Sequence, residues 1–343
     1  MNCKSQLLQP LVSICIPTYN AAKYIVETLE SISRQTYKNI EIIVGDNASS
    51  DDTERLVDDF KKTSGLEIIY YKNENNLGYS GNCNKLIKQA KGEFVAIYHS
   101  DDIYHDRIVE HQVSLLLENK EVAGCFTNYS YIDEKGNDTT RGCQFEVNNS
   151  WMTIFNHDDY IVNILDKFRN PFFCPSSLVR KDIYQTVGGY NERIKFIEDQ
   201  DMWIRILENN SMAVINKKLV KYRIHEAQGS SVYTNINRKS ESPMISHIRS
   251  YLLEKYGEER YTISYKFKVD RLLAIDDIRF AFYLVKKGCN QPIYSKYHEF
   301  IRCSKAKYLL SVSDIRFVKF FVLQWLPVSI TYLALKLVIK VRS

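Results

Sequence analysis

The sequence has little glycine and proline, and its cysteines show no paired spacing. Only 13 Gly and 7 Pro occur in 343 residues, which excludes a low-complexity or fibrous chain. No two of the eight Cys stand at C-x-x-C spacing, and Cys15 and Cys125 lie inside apolar, strand-like runs. The N-terminal segment MNCKSQLLQPLVS lacks the apolar stretch of a signal peptide. We therefore expect buried free thiols, a reducing compartment and a cytoplasmic location for the body of the protein.

Several common catalytic and nucleotide-binding motifs are also missing. No G-x-G-x-x-G follows the first predicted strand, which disfavours a dinucleotide-binding Rossmann domain. No G-x-x-x-x-G-K-[ST] occurs, which disfavours a P-loop NTPase, and neither a G-x-S-x-G elbow nor an H-E-x-x-H helix is present. The function has to be inferred from other residues.

Positive charge is concentrated at the end of the chain. Residues 302–343 contain eight basic residues and one acidic residue, although the formal net charge of the whole chain is only +5. The rest of the chain is therefore slightly acidic, and no basic stripe recurs in it, which argues against nucleic acid as a partner. The basic tail predicts an anionic surface as a partner of the tail alone.

Strand and helix patterns alternate over the first 130 residues. Apolar, β-rich runs occur at Leu11–Pro17, Ile40–Val44, Leu66–Tyr71, Phe94–Tyr98 and Val122–Tyr131. Helical patterns separate them at Ala21–Ser33, Asp52–Lys62, Gly81–Ala90 and Asp106–Leu117. This alternation predicts an α/β fold with right-handed crossovers and a mainly parallel sheet flanked by helices. In the mixed region that follows, we expect a helix from about Met202 to Glu208 and a strand over Leu219–Ile224.

Polar residues follow each of the first four predicted strands. The four segments are Pro17 to Asn20, Asp46 to Thr53, Asn73 to Gly78, and His99 to Asp102. Because ligands of such sheets bind outside the carboxyl ends of the strands, the four segments predict a single ligand-binding crevice. Turn and helix-cap chemistry explains any one segment, Asp51 and Thr53 in particular, but explains all four together less well.

In this order, the segments resemble family 2 glycosyltransferases of the GT-A fold. The motifs are Val12–Asn20, Val44–Thr53, Asn76–Gly78, Ser100–Asp102, Gly188-Gly189-Tyr190 with Glu198-Asp199 and Trp203, and Tyr222–His225 with Ser230-Ser231. The resemblance implies a GT-A domain over residues 1–232, with a nucleotide half at about 10–131 and an acceptor half at about 132–232. Residues 233–343 carry no family signal, and we expect them to form a helical C-terminal region with a basic, apolar tail.

The resemblance implies that a nucleotide-sugar donor, in particular a UDP-sugar, binds at the strand ends. Asp46 matches the residue that accepts a hydrogen bond from a base N–H, and Thr18 and Tyr19 would line the base pocket. The implied donor-binding residues are Pro17, Thr18, Tyr19, Asp46, Asn76, Gly78, Ser100 and Asp101.

The resemblance also implies a divalent cation, Mn²⁺ or Mg²⁺, on the donor diphosphate. Asp101 matches the last acid of the family's D-x-D, but the sequence departs from that motif at its first acid, where His99 stands. Either Asp102 compensates, or the cation is held mainly by Asp101, the diphosphate and His225. For His225, a purely structural role is the alternative.

The family transfers sugars with inversion, which requires a general base beside the acceptor hydroxyl. Asp199 matches that base, and Glu198 is its local competitor. Because the predicted helix follows directly, a helix-capping role is the alternative for Asp199.

The resemblance therefore implies an inverting glycosyltransferase that acts on a lipid-linked glycan acceptor in surface polysaccharide biosynthesis, of the O-antigen or capsule type. The alternative is a non-catalytic GT-A domain that binds a nucleotide or a protein partner, which only His99 supports. A sugar-nucleotide pyrophosphorylase would need a glycine-rich phosphate loop after the first strand, and Pro17 to Asn20 is not such a loop.

The tail contains sixteen consecutive uncharged residues, Phe320–Leu335, between Lys319 and Lys336. As a helix this run would reach roughly 24 Å, short of the roughly 30 Å hydrocarbon core of a bilayer. We therefore expect it to lie on the cytoplasmic face of the cell membrane, with Trp325 and Tyr332 at the interface and the basic residues on anionic lipid. A core helix, a dimer-forming helix and a true membrane span are the alternatives.

Overall fold

A computed structural model describes residues 9–140, 150–167, 170–226, 228, 242–273 and 276. The chain divides into two compact units. One comprises Met1–Ile164 and Arg169–Ile236, and the other comprises Leu165–Phe168 and Asn237–Ser343. Most of the second unit, including the tail segment Phe320–Leu335, lies outside the described residues.

The first half of the larger unit alternates strictly between strands and helices. Its elements are β1 (Val12–Thr18), α1 (Ile25–Ser33), β2 (Ile40–Asp46), α2 (Thr53–Ser64), β3 (Ile68–Lys72), α3 (Gly78–Gln89) and β4 (Phe94–Ile97). The four strands are parallel and lie in the order β3-β2-β1-β4, so their carboxyl ends meet at one edge of the sheet. This confirms the parallel sheet that the alternation predicts.

The second half extends the same sheet. Its elements are β5 (Ile103–Tyr104), α4 (Ile108–Glu118), β6 (Val122–Ile132), β7 (Met152–Phe155), α5 (His157–Lys167), a 3₁₀ turn (Cys174–Ser176), β8 (Ser177–Arg180), α6 (Lys181–Val187), α7 (Glu198–Leu207) and β9 (Ser211–Arg223). The order continues as β4-β8-β6-β9-β5, and β7 also pairs with β9. β8 runs antiparallel to both β4 and β6, and β5 and β7 run antiparallel to β9. β6 and β9 are parallel to each other.

The core of the larger unit lies where the helices pack on the sheet. Along β1, Ile14, Cys15 and Ile16 are all fully buried, as in a parallel strand covered on both faces. α3 packs on β1 and β2, and α4 packs on β6. The four described cysteines, Cys15, Cys83, Cys125 and Cys174, are free and buried, which confirms the prediction for Cys15 and Cys125.

Two predicted boundaries are wrong in the second half of the larger unit. α7 begins at Glu198 rather than near Met202. The three acidic residues in its first turn stabilise that helix start, because negative charge interacts favourably with the positive end of the helix dipole. β9 begins at Ser211 rather than at Leu219, because the buried run Met212–Ile215 already pairs with β6 before two lysines interrupt the apolar pattern.

The described part of the smaller unit is helical. It contains α8 (Pro243–Ser264), which kinks at Gly257, where the backbone is not helical. Across the described residues, we find no helix with the length and apolar content that a membrane span requires.

Candidate functional site

The loops after β1 and β2 are tied together at the carboxyl edge of the sheet. The backbone N–H of Asn20 donates to Ser49 Oγ at 2.8 Å, and that of Ala22 donates to Asp51 Oδ2 at 3.0 Å. Asp51 Oδ1 also accepts from the backbone N–H of Thr53 at 3.1 Å. Burial alone would raise the pKa of Asp51, but these hydrogen bonds outweigh it and lower the pKa. Asp51 and Thr53 therefore hold this turn, as the structural alternative predicted.

Asp46 lies at the end of β2 and is fully buried. Its Oδ1 accepts from the backbone N–H of Ser49 at 2.7 Å, and its Oδ2 accepts from the hydroxyl of Tyr70 on β3. Burial first, and then the bond to Asp46, raises the pKa of Tyr70. The carboxylate is thus fixed in place by the protein, and a base N–H would have to use one of its remaining lone pairs.

The loop between β3 and α3 is built on a network of asparagines. Asn47 Nδ2 donates to Asn76 Oδ1 at 2.8 Å and to the carbonyl of Gly78 at 3.1 Å. Asn73 Nδ2 bridges Asn47 Oδ1 and Asn82 Oδ1, both at 3.1 Å. Gly78 has a φ of +73°, which favours glycine. Asn76 and Gly78, predicted to bind the donor, therefore shape the loop after β3.

The segment that follows β1 contributes one buried and one exposed side chain. Thr18 is 2% exposed, and its hydroxyl donates to the carbonyl of Ile16 at 3.0 Å. Tyr19 is 54% exposed, and Pro17 is partly buried. Among these three predicted donor residues, Tyr19 has the most exposed side chain.

A candidate metal site lies directly after β4. One ligand atom each from His99, Asp101 and Asp102 lies within 4.8 Å of the others, with Ser100 between them in the chain. His225, two residues beyond β9, places Nε2 2.9 Å from Asp101 Oδ2. The fold thus brings together Asp101, His225 and Asp102, which the resemblance proposed for the cation, and places His99 beside them.

Asp102 gives this cluster an oxygen that lacks a protein partner. Its side chain is fully buried, and its Oδ1 accepts from the backbone N–H of Arg223 at 2.9 Å. Its Oδ2 is buried without a hydrogen-bond partner among the described residues. A buried, unpaired carboxylate oxygen is costly. A bound divalent cation would remove that cost, so the residues present fit a cation.

The pKa values of His99, Asp101 and Asp102 are all shifted from their usual ranges. Burial, and then the charge of Asp101, raises the pKa of Asp102 well above its usual range. Burial alone would also raise the pKa of Asp101, but the bond to His225 and the nearby imidazoles lower it. Burial lowers the pKa of His99. The pKa values of the two neighbouring aspartates are thus shifted in opposite directions.

Arg223, the last residue of β9, supports the candidate metal cluster through hydrogen bonds to Asp101 and Asp102. The side chain is 1% exposed, and its Nε donates to the backbone carbonyl of Asp101 at 2.8 Å. The guanidinium also pairs with Glu27 and lies 4.7 Å from the ring centroid of Tyr24. The same Tyr24 ring packs against His225 with centroids 4.8 Å apart. For Arg223, the only signal in the sequence for this supporting role was its position in the Tyr222–His225 motif.

Asp199 lies in the first turn of α7 rather than before a helix, which corrects the predicted location. The side chain is partly buried, and Oδ1 accepts from the backbone N–H of Gln200 at 2.8 Å. Burial, with a smaller contribution from the neighbouring charge of Glu198, raises its pKa from 3.8 to about 6. A carboxylate with such a pKa suits proton abstraction near neutral pH.

Polar contacts link the metal cluster to the surroundings of Asp199. His99 Nε2 lies 3.2 Å from the hydroxyl of Tyr79, which lies 3.5 Å from Cys174 Sγ. Cys174 Sγ is in turn 3.9 Å from the hydroxyl of Tyr190, and the charge of Asp199 raises the pKa values of both Cys174 and Tyr190, after burial. Sequence reasoning missed Tyr79, because its position on α3 carries no motif.

The turn at Gly188-Gly189-Tyr190 is held by Asn84 of α3. Asn84 Oδ1 accepts from the backbone N–H of Tyr190 at 2.7 Å, and Asn84 Nδ2 donates to its carbonyl at 2.9 Å. Gly189 has a φ of +76°, and a Cβ there would stand 2.5 Å from Asn84 Oδ1. This contact joins the two halves of the unit beside α7.

A separate cavity of about 420 Å³ lies beside α2. It is lined by Asp51, Asp52, Glu54, Arg55, Val57, Asp58, Lys61 and Tyr70. Asp51 and Asp52 belong to the segment after β2, but none of the predicted donor, metal or base residues lines the cavity.

Comparison with known proteins identifies the family of this chain. The family model described as glycosyl transferase family 2 matches residues 13–188. An uncharacterized glycosyltransferase of Rickettsia prowazekii is 32% identical over 241 residues, which cover 68% of this chain and 70% of that protein. An uncharacterized glycosyltransferase of Haemophilus influenzae is 29% identical and covers 72% of this chain and 76% of that protein. The chain belongs to glycosyl transferase family 2 and is an enzyme that transfers sugars.

Solved structures show the same fold. S. aureus TarS 1-349 in complex with UDP-GlcNAc superimposes with a TM-score of 0.60 at 20% identity, over 88% of this chain and 84% of that one. The mannosyltransferase PcManGT from Pyrobaculum calidifontis, in complex with GDP-Man and Mn²⁺, gives a TM-score of 0.52 at 16% identity, over 89% of this chain and 86% of that one. The GT-A fold that the motifs predicted is therefore confirmed.

Proposed function

We propose that this enzyme transfers a sugar, with inversion, from a UDP-sugar to a hydroxyl of a lipid-linked glycan in surface polysaccharide biosynthesis. The observation that carries the proposal is the cluster of His99, Asp101 and Asp102, in which a buried carboxylate oxygen has no protein partner among the described residues. Polar contacts lead from this cluster to the neighbourhood of Asp199. These contacts support a transfer site within the larger structural unit.

Asp199 is the proposed general base. Its pKa of about 6 leaves it mostly ionised at neutral pH while keeping it more basic than an ordinary aspartate. In this role Asp199 takes the proton of the acceptor hydroxyl as that oxygen bonds to the anomeric carbon and the nucleoside diphosphate leaves. Glu198, the preceding residue, is the competitor that mutagenesis has to separate from it.

The proposed cation ligands are His99, Asp101 and Asp102, with His225 beside them. When bound, a divalent cation neutralises negative charge on the diphosphate of the donor and of the leaving group. The chain itself fixes these ligands. Arg223 donates from Nε to the backbone carbonyl of Asp101 and from its backbone N–H to the carboxylate of Asp102. His225 pairs with the carboxylate of Asp101. Mn²⁺ in the structure of PcManGT supports this assignment.

A uridine nucleotide is the proposed donor class. Asp46 ends β2 with a fixed carboxylate, and the exposed ring of Tyr19 lies on the neighbouring loop after β1. TarS structures contain UDP and UDP-GlcNAc, which supports a uridine donor, whereas PcManGT contains GDP-Man. A guanine donor is therefore the second class that a screen has to include.

The decisive experiment is a donor screen that measures release of the nucleoside diphosphate. UDP- and GDP-sugars are incubated with Mn²⁺ and the full chain, and the same reactions are run with Asp199→Asn and with Asp101→Ala. We expect release from a UDP-sugar that both substitutions suppress. No release from any donor, together with unchanged UDP binding, would support the non-catalytic alternative.

Membrane association through the basic tail is part of the proposal. Phe320–Leu335 lies outside the described residues, so its support is the sequence alone. Flotation with anionic liposomes compares the full chain with a chain that ends at Leu310. We expect the full chain to float and the shortened chain to stay in the dense fraction. Equal behaviour of the two would refute the anchor without affecting the transferase proposal.

A further inference from the structure

We propose that Phe196 binds the acceptor beside Asp199, by packing its ring on the apolar C–H face of one pyranose ring. The inference rests on the proposed function, because it concerns the acceptor from which Asp199 would take a proton. It goes further in naming a residue that recognises the acceptor, and in naming the part of the acceptor that is recognised.

Phe196 combines a strained backbone with an exposed aromatic ring. Its φ is +72°, which is an outlier for a bulky residue, and its side chain is 45% exposed, so burial of the ring does not offset the strain. Among the non-glycine residues that the structure describes, only Asn20 and Ala48 also have a positive φ, and they follow β1 and β2 at the predicted crevice. Strain of this kind is concentrated at ligand-binding sites.

The loop that carries this ring is held at both ends. At its start, Asn84 of α3 donates from Nδ2 to the carbonyl of Tyr190 at 2.9 Å and to Glu192 Oε1 at 3.0 Å. At its end, Ile197 is buried, and Glu198 begins α7. The exposed phenylalanine therefore stands on a loop whose position is fixed by α3 on one side and by α7 on the other.

These two helices place the ring beside the proposed transfer site. Asp199 lies three residues after Phe196, in the first turn of α7. α3 carries Tyr79, whose hydroxyl lies 3.2 Å from Nε2 of His99 in the candidate metal cluster. An acceptor has to lie where its hydroxyl reaches both the base and the anomeric carbon of the donor. A ring on this loop can contact an acceptor in that position.

An aromatic ring without polar atoms fits a pyranose in a particular way. One face of many pyranoses presents C–H groups, which pack on the face of an aromatic ring, whereas the hydroxyls lie at the edge of the sugar. Such packing removes the exposed ring of Phe196 from water and leaves the acceptor hydroxyls free to approach Asp199. The ring thus supplies affinity and orientation, and the carboxylate supplies the chemistry.

The test measures transfer to small glycosides, with the full chain, Mn²⁺ and the UDP-sugar that the donor screen identifies. The acceptors are the methyl glycosides of glucose, galactose, mannose and N-acetylglucosamine. Phe196→Leu should raise the KM for the accepted glycoside about 3- to 10-fold, the range of one aromatic contact, with kcat and the donor KM unchanged. Phe196→Tyr should keep the natural KM, because it keeps the ring.

Trp151→Leu is the matched control for the loss of an exposed aromatic side chain. Trp151 is 47% exposed, and its carbonyl accepts from the backbone N–H of Asn216 at 2.8 Å, in the first half of β9. Arg223, which supports the candidate metal cluster, lies at the other end of that strand. Trp151→Leu should therefore leave the acceptor KM unchanged, and an equal rise of KM in the two leucine variants would overturn the contact.

Two further measurements separate sugar recognition from folding and from lipid binding. Phe196→Gly removes the ring but tolerates the positive φ, so its Tm should not fall although its acceptor KM rises as in Phe196→Leu. A lower Tm with an equal loss of donor hydrolysis would show that the ring is structural and would overturn the inference. Octyl glycosides of the same sugars are then compared: an effect of Phe196→Leu on the octyl but not the methyl glycosides would show a lipid contact and would also overturn it.

Failure of this inference is distinguishable from failure of the proposed function. Transfer with an unchanged acceptor KM in Phe196→Leu would overturn the inference and leave the function intact. Hydrolysis of the donor without transfer to any glycoside would do the same, because a ring that binds one pyranose predicts that a single glycoside is accepted. Absence of UDP release from every donor would overturn both.

Discussion

Replacement of Asp199 by asparagine should nearly abolish sugar transfer while leaving donor binding intact. The amide keeps the shape of the side chain and can still accept a hydrogen bond from the backbone N–H of Gln200, but it cannot take a proton from the acceptor. Loss of a general base costs on the order of 100- to 10,000-fold in rate. The assay is initial-rate release of UDP with saturating donor, together with calorimetry of UDP binding in the presence of Mn²⁺.

The pH dependence of the transfer rate tests the role of Asp199 independently of the substitution. Burial raises the pKa of Asp199 to about 6, so roughly nine-tenths of the carboxyl is ionised at pH 7 and roughly one-tenth at pH 5. Transfer should therefore fall about tenfold between these pH values. An aspartate with its ordinary pKa of 3.8 would lose less than about a tenth of its activity over the same range. The residual activity of Asp199→Asn should not show this decline.

The free energy of unfolding of Asp199→Asn tests whether misfolding, rather than loss of the base, lowers its activity. Because its pKa is raised in the folded state, Asp199 holds its proton more tightly there than in the unfolded chain. Its contribution to stability is therefore greatest at low pH and falls as pH rises from about 4 to about 6. At pH 8 the asparagine variant should be no less stable than the natural chain, with a gain of at most about 3 kcal/mol.

Two results would refute the reasoning about Asp199. Near-natural turnover of the asparagine variant, with a matching acidic limb, would show that another group is the base, and Glu198→Gln would then be tested in the same assay. An acidic limb centred near pH 4 in the natural enzyme would show that the base is an ordinary, solvated carboxylate.

Two further predictions concern the metal cluster and the turn beside α7. Asp101→Ala should weaken Mn²⁺-dependent UDP binding more than His99→Ala does, because Asp101 provides the anionic oxygen of the pair; calorimetry that showed a larger loss at His99 would contradict this order. Gly189→Ala should destabilise the fold by about 1–3 kcal/mol more than Gly188→Ala in urea unfolding. Both glycines have positive φ, but only a Cβ at Gly189 would meet Asn84, whereas none of the described atoms lies within 4 Å of a Cβ at Gly188, so equal losses would contradict the proposed role of that contact.

The amino-acid sequence by itself determined the first half of the larger unit. Apolar, β-rich runs that alternate with helical patterns require a parallel sheet, because a short strand buried on both faces needs helices to cover it. The polar segments after β1, β2, β3 and β4 then had to meet at one edge. Asp101 and Asp102 belong to the segment after β4, and the resemblance to the family added their proposed role as metal ligands.

Element boundaries in the second half of the larger unit were predicted less well. The lysines after Ile215 hid the first part of β9, and the acidic residues from Glu198 onwards looked like a loop before a helix. In both places the local composition is ambiguous. Pairing with β6 and the helix dipole decided the outcome.

Only the tertiary structure decided what each side chain at the crevice does. Asn76 and Thr18 use their polar atoms on neighbouring loops and backbone, although their positions match a ligand-binding motif. Arg223 and Asp102 meet across 121 positions of the chain, and Tyr79 meets Cys174 across 95. Hydrogen bonds and burial at such separations depend on how distant elements pack, and no local pattern in the sequence encodes them.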